Sequence, residues 1–210
     1  MYIPKAFEVN DKKKLIDFIQ NHSFGILFSE TENGPFATHL PFLFDESKGE
    51  NGVLIGHMAK PNPHWKNLNN KEVLVVFSGP HAYISPTWYN DPNTVSTWNY
   101  VAVHVLGEFH LIEDKQEMKA ILEKTVDFYE SPMANPWKAK FDDKFIDGLL
   151  KGIVGFEINI EKFEGKWKLN QNHSKQRQQN VINGLKSRDE YDSQEIALLM
   201  EQNLQENKKE

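Results

Sequence analysis

The stretch from Trp98 to His110 constrains the fold more than any other. In it Val101, Val103 and Val105 alternate strictly with Tyr100, Ala102, His104 and Leu106. Side chains that repeat every second residue share a face only in an extended strand, so this segment reads as the longest strand, with one aliphatic face and one aromatic and polar face. Ile153 to Glu161 repeats the pattern, with Phe156, Ile158 and Ile160 facing one way and Glu157, Asn159 and Glu161 the other. Further strand-length runs are Gly25 to Ser29, Pro35 to Phe44, Val53 to Met58, Val73 to Phe77, Tyr83 to Ser85 and Phe163 to Lys168. Turn residues or short polar stretches join many of them, which favours antiparallel pairing.

Helical spacing marks three segments outside the strands. One follows Asn10-Asp11, with Leu15, Phe18, Ile19 and His22 on one side; one runs from Glu113 to Glu130; one runs from an N-cap at Ser174 to Leu185. A shorter helix is predicted from Pro63 to Leu68, where proline suits the first turn. Mainly β structure with peripheral helices, in an antiparallel barrel, fits this order of elements. Residues 1–186 are expected to form one domain. The charged tail, 189–210, is expected to fray apart from a short helical patch at Ile196 to Met200.

Composition removes several kinds of chemistry. The chain has 210 residues and no cysteine, so disulfides, thiolate metal sites and cysteine nucleophiles are excluded. No apolar run reaches the ~20 residues of a membrane-spanning helix, and Met1-Tyr2-Ile3-Pro4 opens no charged-then-apolar signal, so a cytoplasmic address without membrane partners is expected. The formal net charge is -6, but it is unevenly spread. Between Lys162 and Arg188 seven basic side chains face only Glu164, a local +6 that leaves -12 for the remainder. This 162–188 segment reads either as a solvated basic face or as an anion-binding element.

Nucleophile-elbow, metalloprotease, P-loop and dinucleotide-binding signatures are absent, so no catalytic residue is singled out. His39, His57, His64 and His104 lack the close His/Glu spacing of a metal site, and none is assigned to metal. Four segments nevertheless place polar and aromatic residues where a plain barrel would place aliphatic ones. Thr38-His39-Leu40-Pro41-Phe42 has a mid-strand histidine before a proline, which marks an edge, a bulge or a backbone facing a ligand. In Gly56-His57-Met58-Ala59-Lys60-Pro61-Asn62-Pro63 a strand end carries a lysine beside a helix start, an arrangement that reads as a phosphate cradle. Ser85-Pro86-Thr87-Trp88-Tyr89 and Thr97-Trp98-Asn99-Tyr100 flank one loop with flat rings and polar groups, a composition suited to an aromatic heterocycle, a core or a dimer interface. Lys168-Leu169-Asn170-Gln171-Asn172 lies within the basic segment.

Together with Met1 to Pro4, Phe7, Val103, His104 and Gly107, these motifs resemble the PaiB-type FMN-binding negative transcriptional regulators. The resemblance runs in order from Met1 to Leu185. That family is similar to the FMN-binding split β-barrels, which include pyridoxamine phosphate oxidases and flavin reductases and are usually homodimers with flavin at the subunit interface. The resemblance therefore implies FMN as cofactor, a homodimer, and a bacterial repressor of protease and sporulation genes. The alternative it leaves open is a flavin-dependent oxidoreductase or flavin reductase with only an indirect regulatory effect. The implied cofactor-binding residues are His39, His57, Lys60, Asn62, Ser85, Trp88, Thr97, Trp98, Asn99, Tyr100, His104, Lys168, Gln171 and Asn172. Lys60 and Lys168 are the phosphate candidates, His39 and His57 donors, and Thr97 to Tyr100 the lining of the isoalloxazine.

One departure stands out. The family motif Lys-Leu-Ser-Gln-Asn-Arg reads Lys168-Leu169-Asn170-Gln171-Asn172-His173 here, which replaces a hydroxyl by an amide and a permanent cation by a histidine. Weaker flavin binding is expected if that arginine holds phosphate, with Lys168, Lys175 or Arg177 as compensating cations. Direct DNA binding would rest on the basic helix from Ser174 to Leu185, for which no helix-turn-helix partner is evident.

Overall fold

The protein is described by a computed structural model over residues 1–138 and 143–206. Among the described residues eight strands form in chain order: β1 (Glu8–Val9), β2 (Phe24–Thr31), β3 (Gly34–Pro41), β4 (Leu43–Asp45), β5 (Val53–Ala59), β6 (Lys71–Ile84), β7 (Thr97–Ile112) and β8 (Ile153–Lys168). Five α-helices accompany them among the described residues: α1 (Lys12–Asn21), α2 (Lys115–Glu130), α3 (Asp143–Leu150), α4 (Lys175–Lys186) and α5 (Ser193–Glu206). The hydrogen-bonded order is β3-β2-β6-β7-β8-β5-β4, with β1 beside β8. β3 and β4 end this order, so the mainly antiparallel sheet does not close on itself.

The alternation expected of β7 is present: Asn99, Val101, Val103, Val105 and Phe109 are buried, whereas Trp98 is exposed and Tyr100 and His104 are partly exposed. Two pairs of predicted strands are each one continuous strand. β6 joins Val73–Phe77 to Tyr83–Ile84 through Ser78-Gly79-Pro80. β2 pairs with β6 only at Leu74 to Val76, so Pro80, which has no N–H to donate, lies beyond that ladder. β8 likewise joins Ile153–Glu161 to Phe163–Lys168. The predicted helix after Pro63 is a single 3-10 turn, Pro63–Trp65.

The chain divides into two compact units. The first comprises Met1–Leu15, Ser78–His104 and Glu164–Glu210; the second comprises Ile16–Phe77 and Val105–Phe163. The second unit is centred on Phe42, Phe77, Phe109 and Phe156, each at most 1% exposed. Phe42 meets Phe77 edge-on with centroids 5.6 Å apart, and Phe109 stacks on Phe156 at 4.8 Å, arrangements that add to the area these rings bury.

At the rim of the second unit Asp45 accepts from Ser47 N (2.9 Å), Ser47 Oγ (2.6 Å) and Lys124 Nζ on α2 (2.9 Å). The Ser47 hydroxyl first, and then Lys124, hold its carboxyl down to about 2. A carboxylate whose pKa is lower in the folded chain stabilises that chain above its unfolded value and ceases to do so as pH falls through the folded value. The stability gap between the wild type and Asp45→Asn is therefore expected to be full above about pH 4 and to vanish near pH 2. Thermal unfolding across that range measures it, and a gap that stays constant overturns the assignment.

In the first unit α4 buries Gln178, Val181, Ile182 and Leu185, and α5 buries Ile196, Ala197 and Met200. The tail expected to fray is thus largely a packed helix. Its apolar residues Ile196, Ala197 and Met200 follow helical spacing and find a partner in α4, contacts that a local reading of a charged segment does not reveal.

Candidate functional site

In the first unit the partly exposed face of β7 carries Trp98, Tyr100 and His104, and the end of β8 carries Glu164, Lys166 and Lys168. Each set follows from period-two spacing, so polar groups from two strands meet over one patch. Lys168 Nζ donates to Trp98 O (2.5 Å) and to Thr97 Oγ1. Burial, and then the neighbouring charge of Lys166, push the Lys168 ammonium below the usual lysine range. Lys166 is only 7% exposed; its ammonium donates to Tyr2 O (3.0 Å) and lies 5.1 Å from the centre of the Tyr100 ring. The Met1 amino group pairs with the Glu164 carboxylate. His104 is pushed down by burial and by that amino group, against the opposing pull of Glu164, and so is neutral near pH 7.

This set brings together Thr97, Trp98, Tyr100 and Lys168 among the expected residues, with His104 in the same electrostatic neighbourhood. Its chemistry fits a planar anionic ligand: the partly exposed Lys168 to meet a phosphate with the buried charge of Lys166 nearby, the exposed Trp98 ring for a heterocycle, and a neutral imidazole able to donate or accept. Lys166 and Glu164 were missed by the motif reading, although alternation from Phe163 to Lys168 places both beside Lys168 on one face.

Other expected residues have structural partners. Asn99 is fully buried, with Nδ2 3.4 Å from Met200 Sδ and Oδ1 without a hydrogen-bond partner. Ser85 caps the turn Pro86–Tyr89 by accepting from Thr87 N (3.3 Å). The indole of Trp88 occupies the space a Cβ at Gly184 of α4 would need, and Arg188 lies 5.9 Å from the centre of its ring. Gln171 accepts from Leu169 N (2.7 Å) and donates to Trp167 O (2.6 Å), bracing the turn, while Asn172 is exposed.

The departure from the family motif has a local explanation. Asn170 has φ 62, a left-handed conformation that asparagine tolerates better than most residues, and its Nδ2 donates to the buried Tyr89 Oη (2.8 Å). His173 packs over Tyr89 at 5.1 Å, and burial and Lys168 lower its pKa. Asn170 is 2% exposed, so its amide serves Tyr89. Asn170→Ser is expected to cost about 1–2 kcal/mol in stability, from the lost bond and the backbone preference, with FMN affinity unchanged within about twofold. Denaturant unfolding paired with an FMN titration checks both halves. Arg177, offered above as a compensating cation, forms an ion pair with Asp91.

The remaining expected residues belong to the second unit. His39 is exposed on the end strand β3, near the ring of Phe24 at 6.2 Å, which agrees with the edge placement that Pro41 implies. His57 is half-buried on β5, and burial lowers its pKa. Lys60 is exposed beside a cavity of 430 Å³ that Lys115, Lys151 and Met118 also line. Asn62 accepts from His64 N (3.0 Å) and donates to Thr38 Oγ1 (3.3 Å). His64, 2% exposed, has both ring nitrogens at 2.8 Å from hydroxyls, those of Ser29 and Thr38, the arrangement of a satisfied core histidine.

Among the described residues no helix is long and apolar enough to cross a membrane, and no cluster of three or more metal-ligating side chains occurs. In fold, the chain is similar to the flavocytochrome Anf3 from Azotobacter vinelandii, with a TM-score of 0.59, 13% identity and coverage of 79% of this chain and 72% of that one. It is similar also to an FAD and heme binding protein from Mycobacterium smegmatis, with a TM-score of 0.58, 13% identity and coverage of 77% and 73%. These likenesses agree with the split-barrel fold expected from sequence. In sequence, it is 40% identical over 207 residues to the Bacillus subtilis "Protease synthase and sporulation protein PAI 2", covering 97% of this chain and 98% of that protein. Residues 1–162 match the family model described as "Putative FMN-binding domain", and FMN is the cofactor this match supports. With that match and near full-length identity to the Bacillus subtilis protein, the chain belongs to the PaiB-type family of FMN-binding proteins.

Proposed function

We propose that the protein binds FMN at the Trp98, Tyr100 and Lys168 face and acts as a homodimeric negative regulator of protease and sporulation genes. The observation that carries the binding reading is the meeting of Lys166 and Lys168 with Tyr100, Trp98 and Thr97 on adjacent strands. Lys168 supplies a charge-assisted donor for the phosphate, and Trp98 supplies ring surface for the isoalloxazine. The regulatory role rests on the likeness to the Bacillus subtilis protein, whose name speaks of protease synthesis and sporulation. A dimer is favoured by large apolar side chains left open in the first unit, among them Tyr2 at 83%, Val95 at 80% and Trp98 at 42% exposure.

Bound FMN remains oxidised under anaerobic NADH or NADPH in this reading, because the ligand serves a regulatory protein and not hydride transfer. Regulation is assigned to the dimer as a whole and not to α4 as a recognition helix, since one side of α4 is buried and Arg177 is paired with Asp91. Titration of FMN followed by flavin fluorescence, with light scattering for the oligomer, tests the binding reading. Quenching and a dimer mass are expected; a monomer, or neither bound chromophore nor quenching, overturns it. Removal of the gene is expected to raise secreted protease activity, and an unchanged level overturns the regulatory part.

A further inference from the structure

Tyr191 lies in the connection between α4 and α5 with φ 54. Among the described residues the other non-glycine positions with positive φ, Asn67, Asn70, Asn90 and Asn170, are all asparagine. Asparagine enters the left-handed region through local hydrogen bonding, whereas a bulky aromatic residue has no such means and is strained there. Burial does not explain the strain, because Tyr191 is 59% exposed. The backbone around it is held in place: His81 N donates to Asp192 Oδ2 (3.0 Å), Asp192 N donates to His81 O (3.2 Å), and Ser193 Oγ donates to Glu190 O (2.6 Å). A conformation both strained and held by neighbours is one the surroundings impose, and such positions cluster where ligands bind.

The ring of Tyr191 meets Trp98 edge-on, centroids 5.0 Å apart and planes at 79°. Tyr83 meets Trp98 in the same manner at 5.8 Å and 72°. Perpendicular rings form a corner, so that a flat heterocycle lying on one ring meets the edge of the other. Trp98 is 42% exposed, and its own carbonyl receives the Lys168 ammonium, so the corner and the cation share one residue.

We propose that Tyr191 is a flavin-binding residue, forming with Trp98 the corner that receives the isoalloxazine ring. This rests on the FMN site proposed above and extends it to the segment before α5, beyond residues 1–162 covered by the family model. The ligand class is a planar, electron-poor heterocycle bearing an anionic tail.

The test is an FMN titration of the wild type and of Tyr191→Phe, Tyr191→Ala and Tyr191→Gly, together with their thermal unfolding. Phenylalanine keeps the ring and is expected to retain affinity and quenching. Alanine and glycine are expected to weaken binding about three- to tenfold and to leave bound flavin more fluorescent. Glycine takes the left-handed backbone freely, so its variant is expected to unfold no earlier than the wild type while still binding less. Equal affinity and quenching in the wild type and all three variants overturn the proposal. So does a glycine variant that loses stability and affinity together, which marks a packing role only. A wild type that fails to bind FMN overturns the FMN site itself, and this inference with it, and is visible in the first titration.

Discussion

FMN is expected to bind Lys168→Met about 10- to 100-fold more weakly than the wild type, the loss typical of removing a charge-assisted hydrogen bond. The side chain is already positioned, since Trp98 O and Thr97 Oγ1 hold its ammonium at the edge of the aromatic patch. Its charge is labile in a way that a surface lysine's is not, because burial and Lys166 lower its pKa. Raising pH therefore removes the proton from Lys168 earlier than from an ordinary lysine. Wild-type affinity should fall on the alkaline side, beginning below the usual lysine range, and that limb should be absent in Lys168→Met. Lys168→Arg, which keeps the charge at all accessible pH, should also lack it while retaining most of the affinity. Isothermal titration at neutral and alkaline pH measures all three proteins; equal affinity in the wild type and Lys168→Met refutes the assignment.

The largest expected loss of stability is at Gly107. A Cβ there would overlap the Asn159 carbonyl oxygen and approach Ile158 Cγ2 to 2.9 Å, so the obstacle is mainly the backbone of β8. Backbone cannot swing aside as a side chain can, and the two strands would have to part where Val105 and Phe109 are fully buried on either side. Gly107→Ala is expected to destabilise by about 3–5 kcal/mol, near the top of the range for one substitution. Gly155→Ala is the contrasting case. Its Cβ would meet the Met118 thioether, a flexible group able to take another rotamer, and about 1 kcal/mol is expected. Chemical denaturation of the pair decides, and a loss below about 1 kcal/mol at Gly107 contradicts the close approach.

Much of the candidate site was legible because it lies on strands. Trp98, Tyr100 and His104 follow from the valine alternation that predicts β7, and Lys168 from the end of β8. Asn99 shows the limit. A motif reading grouped it with its neighbours, yet the same period-two rule turns it to the opposite face, where it is buried against Met200. Asn62, Ser85 and Gln171 are polar residues that local backbone geometry uses, as turns and caps commonly do.

The basic segment shows why net charge along a sequence is an incomplete guide. The local +6 between Lys162 and Arg188 is real, but Arg177, Lys186 and Arg188 pair with Asp91, Glu201 and Glu190, acids distant or near in sequence. Charges that pair in this way have little left for a ligand. Lys166 and Lys168, which contact rings, hydroxyl and carbonyl oxygens, keep theirs.

By itself, then, the sequence determined the class of fold, the positions of the long strands and main helices, the absence of thiol chemistry and the family. All of these depend on short-range periodicity, on composition or on motifs read in order. Only the tertiary structure decided that β6 and β8 are each continuous, that α5 packs on α4, that Lys166 is nearly buried beside Tyr100, and that Tyr191 stands against Trp98 in a strained backbone. Each of these requires residues from 15 to more than a hundred positions apart to meet, and such meetings are set by packing and hydrogen-bond satisfaction across the whole chain, which local spacing does not encode.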